Sequence, residues 1–363
     1  MDAGLRRTPL AGRHAALGAK VGPFGGWEMP IEYAGVLAEH RAVRTAVGLF
    51  DLSHLGKIDV AGPTTGERLQ LLLSNDVARI PVGGAQYHLL LREDGGVAED
   101  LILYRLAEHR WFVVPNAANT ATVTAALEGA DLAPEVLDPW CFLGVQGPSS
   151  PAVLARIFPA SGALRYFGCA ETTFRGERLV LARTGYTGER GFELFCDARL
   201  AGDLWDAILG AGEVEGIEPC GLGARDVLRL EMGYPLHGQD IGPDRSPLEA
   251  GLSWAVAMGK GPFVGRAALE AQLRDGVPSR LVGLATEERR HIPRSHQSVL
   301  VGDRVVGQVT SGTFSPTLGT GIALAYVAPP EVAGEGDRVA IDVRGRLAPA
   351  RVVRPPFVDR SPR

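Results

Sequence analysis

Two adjacent carboxylates, Glu99 and Asp100, are the side chains of this sequence best placed for acid–base chemistry. They follow Asp94-Gly95-Gly96, a hairpin-turn signal, and they open a run of strong β-formers, Leu101-Ile102-Leu103-Tyr104. Residues 86–91 read as the partner strand. Period-two alternation places Asp100 on one face with Ile102 and Tyr104, and Glu99 on the other with Leu101 and Leu103. One carboxylate at this strand entry is therefore expected against an apolar layer, where burial tunes its proton affinity. The competing reading is a solvated acid beside a turn. Asp100→Asn is expected to remove turnover, and Glu99→Gln, pointing to the other face, to be much milder.

A third acid, Glu193, follows the glycine-rich turn at residues 185–191 and sits in a strand between Phe192 and Leu194. Facing inward it needs polar company; facing outward it is merely solvated. Arg225 and Arg229 are four apart at the start of an expected helix, so they can share a face. The plainer alternative for Arg225 is an ion pair with Asp226 or Glu231. Other motifs exclude chemistry. Gly221-Leu222-Gly223 lacks the third glycine of a dinucleotide fingerprint, and no GxxxxGK[ST], GxSxG or SxxK pattern occurs. Eight histidines are scattered without ligand spacing, so no metal site is expected. His54 and His237 are expected to pack or hydrogen-bond.

The elements that must position these residues follow from caps and periodicity. Helices are expected at 32–47, ending at Gly48; at 64–73, opened by a Thr64–Glu67 capping box; from Ser149-Ser150-Pro151; and from an Asp197 cap with Leu200, Leu204 and Ile208 inward. Strands are expected at 56–60, 86–91, 101–106, 111–114, 178–182 and 192–196. The hairpins argue for antiparallel sheets and an α+β class. Beyond residue 281 the helical period vanishes, and short strands recur at 281–285, 298–301, 304–310, 321–327, 338–343 and 350–353. That texture predicts a small C-terminal β-barrel or jelly roll. Residues 274–280 read as the linker. A catalytic region over 1–273, built of two interleaved α+β subdomains, and a barrel domain over 281–357 are expected.

Five segments give the chain a recognisable pattern. They are residues 24–30 (Phe-Gly-Gly-Trp-Glu-Met-Pro), 47–54, 183–194, 219–231 and 310–318. With the Gly95–Leu101 stretch they make the sequence resemble the T-protein family of the glycine cleavage system, the aminomethyltransferases, in matching order from about Arg7 to Phe357. The resemblance implies helices and antiparallel sheets around a central folate site. It also implies transfer of a one-carbon unit from the aminomethyl-lipoyl arm of H protein to tetrahydrofolate as co-substrate, with no metal and no nucleotide. Asp100 matches the family's catalytic aspartate, with Glu99 replacing a first aspartate. Tyr87 and Asn116 match positions near the reacting end of folate; packing and turn roles are their respective alternatives. Glu193 matches the pterin-binding glutamate, Tyr186 a wall residue, and Arg225 and Tyr234 further pocket positions. A C-terminal arginine also reaches the family's site, and Arg360 and Arg363 are both candidates.

Composition narrows the alternatives. The 363 residues exceed one ordinary core, and 45% hydrophobic with 22% charged residues fits a globular chain. A net charge of −5 leaves no basic footprint for nucleic acid, and no apolar run approaches the ~18 residues that span a bilayer. Four well-separated cysteines read as reduced core residues, in keeping with a cytoplasmic protein, and a monomer is expected. Folate-domain dehydrogenases are excluded by the missing flavin fingerprint. A non-transferase folate protein of iron–sulfur maintenance needs a reactive cysteine where this chain has Arg183-Thr184-Gly185-Tyr186. A tetrahydrofolate-dependent demethylase acting on a methylated sulfur compound stays open, because it could keep the same pocket.

Overall fold

The computed structural model describes residues 4–138 and 140–363. The hairpin bearing the paired acids forms as its residues dictate. Asp94 accepts from the backbone N–H of Gly96, Gly95 takes a φ of +85°, and Gly84–Leu91 pairs antiparallel with Val97–Ala107. Leu90 lies opposite Glu99 and Leu91 opposite Val97, so Ala98 is an extra residue that bends the strand at its entry. Alternation then runs as expected: Glu99, Leu101 and Leu103 are fully buried, while Asp100 and Ile102 are only partly covered. Arg110–Pro115, Ile58–Ala61 and Pro134–Val136 complete a five-stranded sheet.

A six-stranded sheet carries Glu193. Its order is Cys169–Phe174, Glu177–Ala182, Gly191–Asp197, Trp140–Gln146, Gly48–Asp51 and Glu218–Cys220, antiparallel except for the last pair. The helices Ser150–Ile157 and Ala201–Gly212 cover one side with Val153, Leu154, Leu204 and Ile208, an apolar spacing that buries one helical stripe. Between the two sheets lies an aromatic layer of Tyr104, Phe112, Phe142 and Phe195. The last two rings sit 4.2 Å apart. This layer fixes the distance between the sheets, and with it the acids that project from each.

The C-terminal strands close into a six-stranded barrel: Arg280–Thr286, Thr320–Val327, Arg304–Ser315, Ser298–Val301, Arg338–Asp342 and Leu347–Val353. Gly302-Asp303 forms the two-residue turn joining Val301 to Arg304. No helix among the described residues is long and apolar enough to cross a membrane.

Two local expectations fail for physical reasons. The helix expected from residue 32 is Val36–Thr45; Trp27–Glu32 is a strand, and the Glu32 carboxylate accepts instead from the N–H of Val36. The helix Thr65–Leu72 has no side-chain cap. Thr64 sits at φ −101°, ψ 3° rather than in the extended conformation that lets an N-cap hydroxyl reach back. Asp197 does cap, but it caps the short 3-10 turn Ala198–Leu200 that leads into Ala201–Gly212.

Candidate active site

A cavity of about 360 Å³ lies where the two sheets meet, with the N-terminal part of helix Leu222–Glu231 on its rim. Its walls include Tyr87, Asp100, Asn116, Tyr186, Glu193 and Arg225, six of the seven residues singled out above. Tyr234 stands behind the wall. Its ring stacks on Tyr186 at 5.6 Å, and its carbonyl accepts from Arg229.

At one end of the cavity the Asp100 carboxylate is clamped from two strands. Tyr87 donates its hydroxyl at 3.0 Å, and the Asn116 amide donates at 2.8 Å. The same amide group donates its second N–H to Glu99 at 2.6 Å, and the backbone N–H of Asn116 donates to the same oxygen at 2.8 Å. Asn119 holds the other Glu99 oxygen and approaches Nδ1 of His237, whose Nε2 lies 3.2 Å from the Val97 carbonyl. One asparagine therefore bridges two carboxylates that point to opposite faces of a strand.

Burial raises the proton affinity of both acids. For Asp100 it outweighs the lowering by His237, Tyr87 and Asn116; for Glu99 the charge of Asp100 adds to it, against hydrogen bonds from Asn116 and Asn119. The pair resists double ionisation and titrates as a unit. The competing reading of a solvated acid fails here, since Glu99 is wholly inaccessible. Its depth is the feature that strand alternation missed: the partners that make burial tolerable, Asn116 and Asn119, arrive seventeen and twenty residues later.

On the other sheet Glu193 is 7% exposed and receives the hydroxyls of Tyr104, at 3.0 Å, and Thr184. Burial raises its proton affinity, and Thr184, Arg225 and Tyr104 pull it back. Arg225 stacks 4.7 Å over the Tyr186 ring and forms no ion pair among the described residues. Its expected competitors are engaged elsewhere: Asp226 with Arg229, Glu231 with Arg44 and His40. Its guanidinium fork is thus left for a ligand. Arg229 lines the cavity but is committed to Asp226, Asp240 and the barrel residue Ser311. Neither C-terminal candidate lines it. Arg360 sits 3.6 Å from Glu189, and the carbonyl of Arg363 accepts from Arg190.

The arrangement offers a mostly apolar cavity with a constrained, proton-avid carboxylate at one end and, further along, a carboxylate and a guanidinium that is not ion-paired among the described residues. Strand rise separates the backbones of Asp100 and Tyr104, whose hydroxyl reaches Glu193, by roughly 13 Å. Comparison with known proteins agrees with the geometry. The chain matches the GCVT N-terminal domain over residues 10–260 and the glycine cleavage T-protein C-terminal barrel domain over residues 280–359. It is 52% identical to the aminomethyltransferase of Frankia alni over 369 residues, spanning 99% of this chain and 100% of that one. Identity is 48% to that of Mycobacterium avium, over 98% of each chain. The crystal structure of glycine cleavage system aminomethyltransferase T from Bartonella henselae, 37% identical, superimposes with a TM-score of 0.93 over 98% of this chain and 99% of that one. The chain belongs to the glycine cleavage T-protein family, the aminomethyltransferases.

Proposed function

We propose that this cavity is where the aminomethyltransferase binds tetrahydrofolate, with Asp100 at the reacting end and Glu193 and Arg225 holding the pterin edge. The reading rests on one observation above all. Asp100 is held from two sides, by a phenol and an amide, in a cavity whose burial raises its affinity for a proton. That is what a group needs if it is to position a reacting amine and take its proton. Glu193 presents a carboxylate that suits the paired N–H donors of an aminopyrimidine. Tyr186, Ile102, Val114 and Leu222 supply flat or apolar walls.

In the overall transfer the donor carbon loses its bonds to sulfur and to the amino nitrogen and gains two bonds to folate nitrogens. The two protons released from those nitrogens end on the lipoyl sulfur and on ammonia. Asp100 serves at the folate nitrogen: it accepts the hydrogen bond that orients the amine and then the proton that bond formation frees. Tyr87 and Asn116 prevent the carboxylate from swinging away.

The donor is carried by the lipoyl arm of H protein, which meets the enzyme transiently. A cytoplasmic location fits the four buried, unpaired cysteines. Two assays test the reading. Tetrahydrofolate should raise the melting temperature, and lipoylated H protein should support aminomethyl transfer with an affinity that weakens as salt rises. Folate binding without any transfer from lipoylated H protein would contradict it, as would the absence of folate binding.

A further inference from the structure

His237 belongs to the loop that follows helix Leu222–Glu231, and it lines the cavity together with Asp100 and Asn116. That loop is pinned on two sides. Asp240 accepts from the backbone N–H of Leu236 at 2.9 Å, from Arg229 at 2.7 Å and from the barrel residue Ser311 at 2.9 Å. Opposite, the backbone N–H of Val97 is shared between the carbonyls of Gly242 and Arg245. The imidazole is thus delivered to a fixed place, and both of its nitrogens are engaged there. Nδ1 lies 3.0 Å from the amide nitrogen of Asn119, and Nε2 lies 3.2 Å from the Val97 carbonyl. An amide nitrogen only donates and a carbonyl only accepts, so Nδ1 is the acceptor and Nε2 carries the proton.

The Asn119 amide gives its other N–H to one Glu99 oxygen. The second Glu99 oxygen takes two bonds from Asn116, whose amide also holds Asp100 at 2.8 Å. Side chains from three separate segments therefore form one chain of hydrogen bonds, from His237 through Asn119, Glu99 and Asn116 to Asp100. A carboxylate as deep as Glu99 is tolerated only while its partners stay in place. We propose that His237 is a positioning residue for transfer, acting on Asp100 through Asn119 and Glu99. By accepting from Asn119 it keeps that amide turned toward Glu99. With one oxygen so held, Glu99 keeps the Asn116 amide where it clamps Asp100. The role rests on the folate reading of the cavity, since it presumes that Asp100 serves the reacting amine. It also gives the C-terminal barrel a part in the chemistry: Ser311 and Asp240 set the loop, and the loop sets the ring.

The test is single-turnover transfer from lipoylated H protein, set beside the tetrahydrofolate Kd, in four variants. His237→Phe removes both nitrogens and should slow transfer about tenfold, the upper scale of one net hydrogen bond, with the Kd within about twofold of wild type. His237→Asn keeps an acceptor near the place of Nδ1, and His237→Gln keeps a donor near that of Nε2. His237→Asn should therefore recover most of the rate and His237→Gln little. The charge that a protonated His237 would bring near Asp100 is lost in both alike, so it cannot separate them. Asn119→Ala combined with His237→Phe should be no slower than Asn119→Ala alone, because both break one linkage. A His237→Gln rate equal to or above that of His237→Asn would make the ring a mere prop for the Val97 carbonyl and overturn the proposal. Additive losses in the double variant, or a Kd that weakens in step with the rate, would overturn it too. Should His237→Phe fail to fold, the half-buried site still admits the amide variants, and their order decides. A wild-type chain that binds folate but transfers nothing would instead overturn the functional reading, and this role with it.

Discussion

Asp100 and Glu193 open onto one cavity and are both raised in proton affinity by burial, yet the chain surrounds them differently. Asp100 is held by an amide and a phenol, and a second carboxylate lies behind the same asparagine. Glu193 is held by two hydroxyls with a guanidinium nearby. Burial keeps the first carboxylate eager for a proton, against the pull of His237, Tyr87 and Asn116. The Thr184 hydroxyl and the Arg225 guanidinium draw the second one back toward ionisation without reversing the rise that burial causes. Two acids on one cavity thus differ in the neighbours that oppose their protonation, and we propose that their roles differ with them.

If that division holds, substitutions should separate cleanly. The largest expected effect is Asp100→Asn, which keeps shape and removes the acceptor; single-turnover transfer should fall by roughly 10²-fold or more. Next comes Glu193→Gln. Losing its charge should weaken tetrahydrofolate by roughly 1.5–3 kcal/mol, read as a smaller rise in melting temperature at matched ligand. A melting shift equal to the wild type's would remove Glu193 from the pocket.

Glu99→Gln sharpens the comparison from behind. The Asp100 charge adds to burial in raising Glu99, whereas the rise of Asp100 comes from burial, against the pull of His237, Tyr87 and Asn116. Glu99→Gln should therefore leave the acid limb of the transfer profile within a few tenths of a pH unit of wild type, in keeping with the mild effect expected of it. Stability, by contrast, should respond to pH. Both acids bind protons more tightly folded than unfolded, so their contribution falls as pH rises through and above the ordinary carboxylate range. The melting temperature of Asp100→Asn relative to wild type should therefore climb between about pH 4 and about pH 8. Tyr234→Phe should do least, within about twofold in transfer, because it is the Tyr234 carbonyl rather than its hydroxyl that receives Arg229 and Tyr186.

Much of this was legible in the sequence. The Asp-Gly turn, the alternation across Asp100, Ile102 and Tyr104, and the short recurrent strands of the barrel are local signals, and the structure keeps them. The clustering of Tyr87, Asn116, Glu193 and Arg225 came from family resemblance, since residues on different sheets leave no mark in spacing. The depth of Glu99 was missed because its partners lie beyond the next strand. His54 was expected to pack or hydrogen-bond and does pack against Phe24, but nothing in Leu52-Ser53-His54-Leu55 reveals the cavities on either side. Thr64 mimicked a capping box because the motif specifies residue types and not the backbone angles a cap requires.

The most direct test is the tetrahydrofolate Kd of Asp100→Asn, by titration calorimetry, set beside its single-turnover rate. The account predicts a Kd within about twofold of wild type and transfer slower by roughly 10²-fold or more. A Kd that weakens in proportion to the lost rate would make Asp100 a folate-binding residue like Glu193 and erase the distinction between them.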